Sequence, residues 1–238
     1  QAGTQGPLAH ARYLADDALQ GREVGTWGAD CAADYIAATF RTLGLQPTGT
    51  GGTWFPTFQV PRGAALGSEN RMQMSGMSAT PGKDWTPLGF SASKELTTSL
   101  VYAGHGLSRP GSPDDAFAHM DVAGKIMVVE SGDPDTPSGG GMRADPHFKA
   151  TVAAGRNAAG LVVLLPEGTP LPSPDQEIRK AMEIPVLAAS GPLAGSLREA
   201  ARAGSGLTVR TDVRPVTADA RNVVAMIPGS DPALRGEY

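Results

Sequence analysis

A single cysteine, Cys31, serves 238 residues, so the chain has no internal disulfide and no cysteine-based zinc site. Long apolar runs are missing too. None approaches the roughly 18 residues a membrane span requires, and no membrane span is expected. Basic charge is scarce and unclustered: 20 Lys and Arg stand against 24 Asp and Glu, a formal balance of −4. That argues against nucleic acid or an anionic membrane surface as a partner. The sequence opens on Gln1 rather than Met and shows no signal-like apolar segment, so a processed or cloned piece is expected.

What is abundant is Gly and Pro. At 31 and 20 residues they make up about a fifth of the chain, against roughly 12% on average. Many turns and short elements follow from that, not a helical bundle. Hydrophobic residues reach 40%, enough for a real core, which excludes wholesale disorder. At roughly 150 residues per domain the length suits one to two domains.

Two helices are expected first. Pro7 suits a first helical position, Leu8, Ala11, Ala15 and Leu19 share a face, and Gly21 follows as a stop. Ala32, Ile36, Phe40 and Leu43 recur at helical spacing, and Gly44 stands where a left-handed residue ends a helix. Residues 21–26 read as an ordered loop between them. Residues 48–86 are rich in Gly, Thr, Ser and Pro, and read as a connection with short strand-like pieces such as 54–60. Strands and helices then alternate. Residues 100–103 and 125–130 are strands, the second apolar enough for burial on both faces. Asp145-Pro146 caps a helix whose inward face is Phe148, Val152, Gly155 and Ala159, with Gly160 as its stop. Residues 161–165 and 184–189 are further strands, Pro185 confining the latter to an edge or to a strand's beginning. Residues 192–203 form a helix with Leu193, Leu197 and Ala200 inward. Residues 207–214 alternate as a half-exposed strand, and 222–227 form the last one.

Candidate chemistry is thin. His119-Met120-Asp121 has the spacing that puts two ligands on one side of a strand, but a Val-Ala-Gly turn follows and no third ligand has a recognisable spacing. It reads as a surface turn. His105, between Gly104 and Gly106, reads as a turn residue, and His10 and His147 belong to no H-E-x-x-H. No G-x-S-x-G elbow exists. Ser190-Gly191 joins a strand to a helix, where Ser190 reads as an N-cap, and Cys31 reads as core. Residues 138–141, Ser-Gly-Gly-Gly, lack the Lys-Ser/Thr of a phosphate loop and read as a flexible loop. Asp16-Asp17 and Asp114-Asp115 give no acid/base pair, since neighbours point apart on a helix and are solvated in a turn.

Several segments together resemble a known family. Residues 13–22, Y-L-A-D-D-A-L-Q-G-R, and the helix 33–45 are similar to the opening of bacterial zinc aminopeptidases related to the transferrin receptor and glutamate carboxypeptidase. Residues 88–93, 101–106, Asp114-Asp115, 121–129, 148–163 and Ile184-Pro185-Val186 resemble the strands and helix of their inserted protease-associated domain, although an aromatic is commoner than His105. Residues 221–232 look like the first strand and turn of the catalytic domain.

The resemblance implies a mixed α/β (α+β) fold: a protease-associated domain of β-strands with flanking helices, preceded by two N-terminal helices. It divides the chain into a helical lead-in (1–60), the protease-associated domain (86–216) and the first strand of a peptidase domain (217–238). In the family the zinc ligands and catalytic carboxylate follow the R-GEY segment, here 235–238, so no catalytic, cofactor-binding or metal-binding residue is assigned to this chain. The implied zinc belongs to the absent peptidase domain, which is the implied partner along with a peptide or protein substrate. A secreted or periplasmic location is implied as well. Two alternatives stand beside this reading: a stand-alone or receptor-like binding module, and a nucleotide-binding α/β domain suggested by alternation and the glycine run.

Overall fold

The computed structural model describes residues 6–74, 77–108, 115, 117, 120–136, 140–174 and 179–234. Its fold is mixed α and β. The helices are α1 (Pro7–Leu14), α2 (Trp27–Thr42), α3 (Pro146–Gly155) and α4 (Gly191–Arg202). The first strands are β1 (Gln46–Pro47), β2 (Thr57–Leu66), β3 (Arg71–Met74), β4 (Met77–Ser78), β5 (Trp85–Pro87) and β6 (Glu95–Tyr102). After them come β7 (Ile126–Glu130), β8 (Gly160–Leu164), β9 (Val186–Ala189), β10 (Gly206–Arg210), β11 (Val213–Arg221) and β12 (Ala225–Met226). The chain forms two compact units, one of Gln1–Pro61 with Thr217–Tyr238, the other of Arg62–Val216. It passes between them twice, within β2 and within β11, and these two strands pair. No helix among the described residues is long and apolar enough to cross a membrane.

In the first unit α1 ends sooner than its apolar spacing suggests. Asp16 accepts a hydrogen bond from the Ala18 N–H and starts a separate 3-10 turn, Asp17–Arg22, so the stripe Leu8–Ala11–Ala15 is never continued to Leu19. Leu8 is exposed, and Leu19 is buried from within that turn. Gly28, in the first turn of α2, sits against the backbone of Leu19: a Cβ there would stand 1.9 Å from the Leu19 carbonyl oxygen. Two small residues, Ala33 and Ala37, are buried beside Ala32, whereas Ile36 and Phe40 are only half-buried and Leu43 is exposed. The helix stops as expected. Gly44 has φ +76°, its N–H donates to Arg41 O, and the Leu45 N–H donates to Phe40 O, the paired closure of a Schellman motif. The C-terminal segment returns to this unit. β12 pairs antiparallel with β1, Asn222 and Val224 N–H groups donate to Pro56 and Trp54 carbonyls, and Arg221 pairs with Asp30 and Asp34 of α2.

The second unit is built on an eight-stranded mixed sheet in the order β4-β3-β10-β6-β7-β8-β9-β5. Its centre, β6 to β9, is parallel, and β5, β10, β3 and β4 are added antiparallel at the two sides. Residues 62–85, expected as part of a connection, thus supply β3, β4 and the first residue of β5. β9 is an interior strand, and Pro185 stands just before it. Alternation divides the core cleanly in two. Ile126, Val128, Val162, Leu164, Leu187 and Ala189 face α4, packing with Leu193, Ala194, Leu197 and Ala201. Met127, Val129, Leu161, Val163, Val186 and Ala188 face α3, packing with Ala150 and Ala153. Burial on both faces explains why β7 and β8 are unbroken apolar runs. The inward face of α3 is Lys149, Ala150 and Ala153 rather than the expected Phe148–Val152–Gly155–Ala159 stripe, and Gly160 belongs to β8.

Candidate binding crevice at the carboxyl ends of the parallel strands

In parallel α/β sheets the carboxyl ends of the strands face loops and helix N-termini, which is where such folds take ligands. Here β7 delivers Glu130 to that edge, β8 delivers Leu164, and α4 begins beside them on the opposite face of the sheet from α3. A crevice of about 660 Å³ lies there, walled by His105, Glu130 and Ser131, by residues 164–167 after β8, and by the first two turns of α4 as far as Arg198.

Its charged centre is a closed network. Arg198 donates from Nε and Nη2 to the two Glu130 carboxylate oxygens at 2.6 and 2.9 Å, and the Tyr102 hydroxyl donates to the same carboxylate at 2.8 Å. The Arg198 hydrogen bonds, opposed by burial and helped by Tyr102, hold Glu130 below the usual carboxylate range. The same bonds push Arg198 up. Burial, then the bond to Glu130, raises Tyr102 above a free phenol. The Arg202 guanidinium lies 4.9 Å from the Tyr102 ring centroid. A bidentate pair of this kind is spoken for: it neutralises charge and fixes the wall. Behind the wall Lys149 donates to the carbonyls of His105, Glu130 and Gly132.

Among the described residues, those singled out in the sequence do not assemble into a reactive set. His10 Nδ1 lies 2.8 Å from the Tyr35 hydroxyl, and His147 Nε2 lies 2.9 Å from the Lys180 carbonyl oxygen. Among the described histidines His105 alone reaches the crevice, with Nδ1 3.2 Å from the Ser131 carbonyl oxygen. His119 and Asp114 lie outside the described residues, as do residues 138 and 139 of the Ser-Gly-Gly-Gly run. Asp121 accepts from the Ala123 N–H and pairs with Lys125 at 3.1 Å, and these bonds keep its carboxyl low. Asp115 pairs with Arg156 at 3.6 Å. Gly141 is separated from α3 by the 3-10 turn Met142–Ala144, so the glycines do not open a helix as a phosphate cradle would. Ser190 occupies the N-cap position of α4 without a side-chain hydrogen bond to it, which corrects the expected capping role. Cys31 is half-buried in α2. Among the described residues no three His, Cys, Asp or Glu side chains converge as a metal site would require.

The residues that shape the crevice were missed in the sequence because their partners are distant. Glu130 and Arg198 are 68 positions apart. One local signal was available: Lys149 stands beside Ala150 in a short helix otherwise apolar on that side.

No protein-family model matches the sequence, and no curated protein sequence does. Solved structures do resemble it. An aminopeptidase from Aneurinibacillus sp. strain AM-1 superposes with a TM-score of 0.54 at 19% identity, over 94% of this chain and 48% of that one. The chain shares the fold of the matched half of that protein. A zinc aminopeptidase from Bacillus subtilis gives a TM-score of 0.45 at 18% identity, over 94% and 47% of the respective chains. A peptidase M28 precursor from Shewanella amazonensis SB2B gives 0.40 at 14%, over 94% and 53%. The chain thus spans about half the length of these solved structures.

Proposed function

We propose that this chain is the N-terminal and protease-associated portion of a zinc-dependent aminopeptidase. In this reading the second unit acts as a lid, substrate-access or protein-interaction domain, and peptide-bond hydrolysis belongs to a peptidase domain beyond it. The observation that carries the reading is the fold shared with the Aneurinibacillus aminopeptidase, which takes in 94% of this chain but 48% of the other. Apolar residues exposed on the first unit agree with a further partner domain: Trp27 and Leu43 are each 62% exposed and Ile227 is 81% exposed. As the resemblance implies, zinc is assigned in this reading to the peptidase domain, and no chemical step is routed through this chain. A peptide or protein substrate and a secreted or periplasmic setting belong to the same proposal.

The test is excision. In a longer protein carrying the peptidase domain, replacing residues 62–216 by a short flexible linker is expected to preserve hydrolysis of a small aminoacyl anilide and to change KM for longer peptides. Unchanged kinetics on both substrates would remove the lid role. The crevice favours one rival, a binding module without peptidase activity, because it lies where parallel sheets take ligands. The coding sequence after Tyr238 separates the two: a His-x-Asp following an apolar strand supports the enzyme, and its absence supports the module.

A further inference from the structure

Lys149 is the anomaly of the second unit. It is 1% exposed, on the side of α3 that also buries Ala150 and Ala153. Its amine donates to the carbonyls of Gly132 at 2.9 Å and Glu130 at 3.2 Å, and to that of His105. The acceptors come from two segments, 103–106 after β6 and 130–133 at the end of β7. These segments also hold each other: the Glu130 N–H donates to Gly104 O at 2.7 Å, and the His105 ring meets Ser131 O. His105, Glu130 and Ser131 are crevice wall. Parting of the two wall segments would therefore expose the amine to water.

Among the described residues the charged groups around it are few. Asp133, 2% exposed, comes from the segment after β7 and lies 3.6 Å from Arg143 of the 3-10 turn. The Glu130 carboxylate is committed to Arg198 and Tyr102. On α3 itself, Asp145 caps the helix and pairs with Arg179, while His147 is engaged with Lys180.

We propose that this wall is a proton-linked gate: parting of the 103–106 and 130–133 segments takes a proton up onto Lys149, and closing releases it. The closed wall disfavours the charge. Burial pushes Lys149 down to about 8, Asp133 opposing and Arg143 adding to the effect. In the parted state the amine is hydrated and titrates near the ordinary value of about 10.4. By linkage the state with the higher pKa is the one that protonation favours. Opening is therefore easiest below pH 8 and becomes rarer as the pH rises towards 10, by a factor on the order of a hundred. A neutral amine still donates two N–H groups, so two of the three carbonyls stay served when the gate is shut.

The experiment uses the full chain with 13C-labelled lysine, its five lysines followed by NMR from pH 6 to 11, together with amide exchange of Gly106, Glu130 and Ser131. Protection is expressed relative to an unstructured peptide at the same pH. The expected result is a Lys149 midpoint near 8 and protection of those amides that rises from pH 8 to 10. In Lys149→Met the rise disappears. A Lys149 midpoint near that of the other lysines, protection that is flat or falls with pH, or the same rise in Lys149→Met would each overturn the proposal. Should Lys149→Met fail to fold, Lys149→Gln replaces it, and should both fail, the wild-type titration decides alone.

Discussion

Val163 lies in β8, opposite Val129 of β7 and Ala188 of β9, and is 1% exposed on the face packed by α3. Replacing it by Asp removes a fully buried valine, worth about 2 kcal/mol. It also places a carboxyl in the apolar cluster that holds Met127, Leu161, Val186 and Ala153. Such a group escapes ionisation by raising its pKa, by several units when fully buried. If the folded value passes 7, holding the proton at pH 7 against an unfolded value of about 3.9 costs about 4 kcal/mol at 1.36 kcal/mol per unit. The total, about 6 kcal/mol, approaches or exceeds the whole stability of many domains. The sign follows from linkage: the folded pKa is raised, so the ionisation part of the penalty vanishes below the unfolded pKa and grows as pH rises towards the folded one. At pH 4.5 it should be about 1 kcal/mol. The assay is urea denaturation followed by circular dichroism at pH 7.0 and 4.5, each variant compared with the parent chain at the same pH. Val163→Ala is the control, since it loses burial but has no titrating group. A midpoint for Val163→Asp near that of the parent at pH 7, or a penalty no smaller at pH 4.5, would refute the buried central strand.

The Glu130–Arg198 pair should show a coupling of about 1–2 kcal/mol in a double-mutant cycle of Glu130→Gln and Arg198→Met at pH 7. Because Glu130 is held low, that contribution is present above about pH 4.3 and is lost as pH falls through its folded value, which a repeat at low pH checks. Gly28→Ala forces a Cβ into the Leu19 carbonyl and should cost about 1–3 kcal/mol in thermal or urea unfolding. Gly195→Ala, in α4 with nothing within 4 Å of the new methyl, should instead stabilise by about 0.5–1 kcal/mol. Asp145→Ala removes the acceptor of the His147 and Phe148 N–H groups and the partner of Arg179, and should cost about 1 kcal/mol.

Features with local causes were legible in the sequence. The Asp145-Pro146 start of α3, the Gly44 end of α2 and the doubly buried β7 and β8 each depend on a few adjacent residues, and each stands where the pattern put it. Misreadings came where two local rules compete or where the partner is remote. The apolar spacing from Leu8 to Leu19 favours one helix, but Asp16 caps a new turn, and Gln20, Gly21 and Arg22 take positive φ, so the segment bends. On α3 a one-residue rotation brings Lys149 inward, a cost in charge burial that the three carbonyls offset only in part; their segments are not visible from the helix's own spacing. The strands within 62–85 lack long apolar runs because β3 and β4 lie at one side of the sheet and β5 at the other. The crevice was illegible for the same reason as its Glu130–Arg198 pair: it exists only once β6, β7, β8 and α4 are side by side.

The assignment of chemistry to a domain outside this chain is tested most directly by measuring zinc content and aminoacyl-anilide hydrolysis for the purified 238-residue chain and for a longer protein that continues past Tyr238. The account predicts neither bound zinc nor turnover in the shorter protein, and chelator-sensitive turnover in the longer one. Zinc-dependent, chelator-sensitive hydrolysis by the 238-residue chain alone, or an inactive longer protein that binds no zinc, would contradict it.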